Sequence, residues 1–195
     1  MAALAALHEA HGDVDDAQRL HQRVLRASLA QLGIDHQDAL RSMESLARLL
    51  RSRGKAEEEE AFFRRTLREC EASLGAEHPC TLFCMSGLAG FLDGQSRLDE
   101  AEPVWRRVLK LHDTRFGPRH PQTLRSMDGL AGLLVATGRH EEAEPLLRHV
   151  AKCREVELGA KSPETLQSLG RLAALLEARG APGEAAALRR RAPSR

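Results

Sequence analysis

The sequence predicts an all-α chain, a solenoid of about five antiparallel helix hairpins built from one repeated unit. Three observations predict it. Gly33, Gly75, Gly117 and Gly159 recur every 42 residues. Leu-Ala steps return at the same interval: Leu4-Ala5, Leu46-Ala47, Leu88-Ala89, Leu130-Ala131 and Leu172-Ala173. Between these landmarks apolar residues fall three and four apart, which marks one face of a helix. A period of this length signals stacked two-helix units, none of which can bury its apolar face alone.

The unit from Phe116 to Glu157 is the cleanest. Gly117 follows an apolar helix end and suits a left-handed closing residue. His120-Pro121 opens a first helix, with proline in the first turn, where no amide donor is needed. Leu124, Met127, Leu130, Ala131 and Leu134 form its packing face, and Gly138 ends it. The second helix begins near His140. Glu141, Glu142 and Glu144 stand in its opening turns and Arg148, Lys152 and Arg154 further on, an order that complements the helix dipole. Pro145 falls early in this helix, where its missing amide matters least. Leu146, Leu147, Val150 and Ala151 supply its packing face. Steps of 42 place full repeats at 32–73, 74–115 and 116–157, a truncated repeat at 1–31 and a C-terminal partial one at 158–195, all in a single solenoid domain.

Composition narrows the class of work. Apolar residues make up 42% of the chain but aromatics only 3%, so packing must rest on Leu, Ala, Val and Met. The net charge of +1 lacks the basic excess of a nucleic-acid surface. No stretch reaches the roughly 20 apolar residues that span a bilayer. The opening MAALAALHEAHGD lacks a basic n-region and sits in repeat register, so it reads as a helix that opens mid-repeat rather than a signal peptide. Cys70, Cys80, Cys84 and Cys153 match no disulfide framework, which favours a reducing, cytoplasmic setting.

Once aligned, the repeats resemble the tetratricopeptide repeat in its long form, as found in kinesin light chains. Met43, Met85, Met127 and Leu169 occupy the large first-helix position. Ala17, Ala101, Ala143 and Ala185 occupy the small second-helix position, from which Glu59 departs. His21, Phe63, Trp105 and Leu147 occupy the bulky position that follows. LGAEHPCTL at 74–82 and EEAEPLL at 141–147 are particularly similar to the kinesin-light-chain form. The resemblance implies a right-handed superhelix whose first helices line a concave groove. Kinesin light chains carry paired asparagines before the Leu-Ala step that help hold peptide backbone. Here those positions read Glu44-Ser45, Ser86-Gly87, Asp128-Gly129 and Gly170-Arg171.

By that register the peptide-binding groove presents Arg41, Glu44, Arg48 and Arg51, then Phe83 and Ser86, then Arg125 and Asp128, then Gln167. Charge selectivity is expected at Arg48 and Arg51, whose reversal should leave the fold intact. Intrahelical pairing of Glu44 with Arg41 and Arg48 is the competing explanation for the arginines. Gly87, Gly90, Gly129 and Gly132, costly inside helices, call either for close helix approach or for room beside a ligand.

No catalytic or metal-binding constellation stands out. His36, His78 and His120 are helix-start residues by register. Cys84 replaces Ser42, Ser126 and Ser168, and Cys70 corresponds to Ser28. Enzyme activity, a metal and a cofactor are therefore not expected. The expected function is a protein–protein interaction scaffold or adaptor of kinesin-light-chain-like kind, binding a peptide or partner helix of acidic character in the groove. The alternative is a structural or self-assembly segment, associating through an uncapped N-terminal end, or the sensor repeats of a larger signalling protein. Nucleic acid and membrane are not expected partners.

Overall fold

A computed structural model describes residues 14–30 and 36–191. The N-terminal repeat helix around Leu4-Ala5, the turn at Gly33 and the proposed self-associating N-terminal end lie outside these residues, as does Arg195. Among the described residues there are nine helices and no strand: α1 Val14–Ala30, α2 His36–Ser52, α3 Ala56–Leu74, α4 Pro79–Gly94, α5 Leu98–Phe116, α6 Pro121–Ala136, α7 His140–Leu158, α8 Pro163–Ala178 and α9 Pro182–Arg191. None of them is long and apolar enough to cross a membrane.

Two kinds of turn join the helices, and each repeats. Gly75, Gly117 and Gly159 close α3, α5 and α7 at φ +87, +84 and +84, a region costly for residues with a Cβ. Each donates its amide to the carbonyl four residues back, as Gly117 does to Asp113 at 2.9 Å. The turns after α2, α6 and α8 use Gly54, Gly138 and Gly180, again at positive φ. Ser96 takes the same turn after α4 at φ +59, although it is not a glycine.

Helix starts are equally regular. Before α4 and α6, His78 and His120 accept the amides of Cys80 and Gln122 on Nδ1, both at 3.2 Å. Ser162 does the same before α8, accepting from Thr165 at 3.1 Å. Side-chain caps of this kind satisfy amide groups that the helix itself leaves open. His78 and His120 are thus helix caps, as their register suggests.

The chain forms two compact units, residues 1–91 and 92–195, with the boundary inside α4. In the first, α2 packs against both α1 and α3. In its core Met43 and Leu25 meet Cys70, Cys80 and Cys84, with Phe62 and Phe83 packed against that cluster. In the second, α5 through α9 pack each against the next in chain order. Leu130, Ala131, Leu133 and Leu134 of α6 and Leu172, Ala173, Leu175 and Leu176 of α8 are buried there, as are Ala101, Ala143 and Ala185 of the second helices.

Candidate binding face

The first helices carry the residues singled out for a groove, and their surroundings differ sharply. In the first unit Arg41, Glu44 and Arg48 of α2 are exposed. Arg48 reaches back to Ser45 Oγ at 3.5 Å. Arg51, one turn on, is engaged elsewhere. Its Nη2 and Nε donate to Glu59 Oε1 of α3 at 2.7 and 3.1 Å. Glu59 is 3% exposed and stands where other repeats have alanine. Reversing Arg51 would set a second, largely exposed carboxylate against the buried one of Glu59, so that reversal is expected to cost stability as well as groove charge. Phe83 of α4 is half-buried against Phe63, with ring centroids 6.4 Å apart. Ser86 donates its hydroxyl to the Leu82 carbonyl at 2.8 Å.

In the second unit Arg125 of α6 and Gln167 of α8 are exposed. Asp128 is buried. Arg154 of α7 lies 2.6 Å from its Oδ2, and Arg171 of α8 lies 3.5 Å from its Oδ1. Two long arginines from neighbouring helices cover the carboxylate, which is why it sits inside although its helix register points outward. The triad carries a net positive charge. Arg171, with its side chain 48% exposed, presents that charge to solvent. Arg171 lies outside the groove set that register marks, although it occupies an asparagine-pair position and replaces the glycine found at 87 and 129.

The helix glycines separate into two groups. A Cβ on Gly87 would collide with the Phe63 ring, and one on Gly129 with the Trp105 indole, so close packing accounts for both. At Gly132 and Gly170 a Cβ would meet nothing within 4 Å. Those two glycines leave open space on the α6 and α8 face that also carries Arg125, Gln167 and Arg171.

Charges on the second helices are tied to one another. Glu102 accepts from Arg139 and Arg106, and Arg106 also reaches Glu142. The guanidinium groups, Arg139 first, hold the Glu102 carboxyl below its usual range. Arg148 bridges Glu144 and Glu184, and Arg179 also pairs with Glu144. This ladder staples α5, α7 and α9. By contrast, Arg125 joins no ion pair among the described residues.

The tetratricopeptide-repeat family model matches residues 1–71, 85–155 and 129–192. The chain belongs to the tetratricopeptide-repeat family. Its fold is an all-α solenoid of that type, which is typically a non-catalytic protein-interaction scaffold. A putative kinesin light chain from Podosopora anserina with nearly identical repeats is similar at 26% identity and a TM-score of 0.72, covering 97% of this chain and 90% of that one. BtubC (BKLC) from P. vanneervenii superposes with a TM-score of 0.80 at 19% identity, over 95% of this chain and 74% of that one. A Rap conjugation gene regulator of the plasmid pLS20, in complex with the Phr* peptide, shares the fold at 13% identity and a TM-score of 0.63, over 96% of this chain and 50% of its own. No curated protein matches the sequence.

Proposed function

We propose that the protein is an adaptor of kinesin-light-chain-like type, binding an extended acidic peptide or partner helix along its first-helix faces. One observation carries the reading. On α6 and α8 an exposed strip combines open glycines, Gly132 and Gly170, with Arg125, Gln167 and the outward charge of Arg171. Open glycines admit a ligand backbone, and the arginines favour negative charge on it. In the first unit Arg41, Arg48 and Glu44, with Phe83 and Ser86 on α4, offer a smaller counterpart. The asparagine-pair positions Asp128 and Arg171 pair with each other here, so charge takes over the role that amide side chains play in kinesin light chains.

The test begins with peptides selected from a random library against the full chain. Their affinities are then measured for the wild type, for Arg125→Glu with Arg41→Glu, and for Lys152→Glu on a second helix. Selection should enrich acidic peptides. The first-helix reversals should weaken binding by about tenfold, roughly 1.4 kcal/mol, with the loss shrinking as salt rises. The Lys152 reversal should change little. Equal losses from both sets would refute the face assignment.

A further inference from the structure

One slot between a second helix and the following first helix is filled differently in each repeat. Between α5 and α6, His112 Nδ1 lies 2.8 Å from Ser126 Oγ. Between α7 and α8, Arg154 donates to Ser168 Oγ at 2.7 Å. These two positions thus face each other across the slot. Between α3 and α4 both positions are cysteine. Cys70 and Cys84 are free thiols, each 0% exposed, and they lie together in one buried core cluster. The Cys84 sulfur also lies 3.9 Å from Met43 Sδ. Cys80 is buried in the same cluster.

We propose that Cys70 and Cys84 form a redox latch, in which a hydroperoxide converts the thiol pair into a disulfide tying α3 to α4. The proposal rests on the thiol pair alone and is independent of the binding reading. The neighbouring Cys84 thiol makes Cys70 the more acidic partner, and Cys70 in turn pushes Cys84 well above the ordinary thiol range. Burial, then the neighbouring Cys70, pushes Cys80 up to about 11. In the proposed step Cys70 is the nucleophile. Its thiolate attacks one peroxide oxygen and the O–O bond breaks. The departing hydroxide or alkoxide, once protonated, leaves as water or as an alcohol, and Cys70 becomes a sulfenic acid. The sulfur of Cys84 then attacks the Cys70 sulfur and the S–O bond breaks. A water departs with the Cys84 proton. Two thiols lose two electrons, and one peroxide is reduced. Because both sulfurs are buried, the reaction waits on a local opening of α3 from α4, and the disulfide then locks the closed pair.

The full chain is treated with hydrogen peroxide under native conditions, then unfolded and alkylated. Two of the four cysteines should resist alkylation, with the mass lowered by two hydrogens and restored by reductant. Cleavage after Glu71 and Glu77 separates Cys70 from the other two and exposes the linked peptides. Cys84→Ser should fold, since Ser42, Ser126 and Ser168 occupy the same position, and it should lose the crosslink. Cys80→Ser should keep it. The proposal is overturned by a Cys70–Cys80 link in the wild type or in Cys84→Ser. Oxidation to sulfinic acid without a crosslink, or a crosslink that forms only in denaturant, overturns it equally.

Discussion

Trp105 lies over Gly129, so that a β-carbon on the glycine would come within 2.5 Å of the indole. The same spacing places Phe63 over Gly87, where the gap would be 2.2 Å. At the corresponding positions Leu147 faces Arg171 in register and His21 faces Ser45. Large rings go with glycine, and smaller side chains go with larger partners. In these two repeats the large ring and the missing β-carbon compensate in volume.

Gly129→Ala should therefore overpack the second unit and cost about 1–3 kcal/mol. Trp105→Leu in the same chain should recover much of that loss, because leucine already fills this slot at 147. A denaturation double-mutant cycle measures the coupling, with circular dichroism as the readout since the variant removes the single tryptophan. Additive effects would show that the ring and the glycine are independent.

Arg51→Ala strands the buried carboxylate of Glu59 and should cost about 1–3 kcal/mol, less than a fully buried pair because the Arg51 side chain is 67% exposed. Glu59→Ala should be close to neutral, since alanine fills this place at 101, 143 and 185. Chemical denaturation of the two single variants decides it. A larger loss from Glu59→Ala than from Arg51→Ala would contradict the pairing.

Much of the fold was legible from repetition alone. The closing glycines, the capping histidines and the buried Leu-Ala steps each recur 42 residues apart, so one unit explains the others. What escaped the register reading were contacts peculiar to one repeat. Glu59 stood out as a departure from alanine, but its partner Arg51 belongs to the preceding helix and was read as a groove residue. Asp128 carries an outward register, and only long side chains from two other helices bring it inside. Periodicity describes what repeats share, and the site depends on what they do not.

Ser96 holds a positive φ that its counterparts Gly54, Gly138 and Gly180 adopt without a Cβ. Ser96→Gly should raise stability by about 0.5–1 kcal/mol. Gly138→Ser should lower it by a similar amount. Thermal melts of both variants test the pair, and opposite signs are required.

Burial lowers the pKa of His112, with the charges of His120 and Arg125 adding to the effect. A histidine lowered in the folded state binds fewer protons there than when unfolded, so stability rises with pH across its titration. The contribution is whole above the ordinary histidine range near 6.5 and is lost as pH falls through the folded value. Denaturation midpoints read from Trp105 fluorescence should drop between pH 7.5 and 5.5, above the carboxylate range. His112→Cys, the residue found at position 70, should flatten that slope. An unchanged slope would assign the pH dependence to another group.

The central claim is that ligand binding occurs on the first-helix faces. Amide chemical-shift mapping with a library-selected acidic peptide tests it most directly. The largest shifts should fall at Arg125, Gly132, Gln167, Gly170 and Arg171, while Arg148 and Lys152 stay still. Shifts concentrated on the Glu102, Arg106 and Arg148 ladder, with the α6 and α8 face silent, would contradict it.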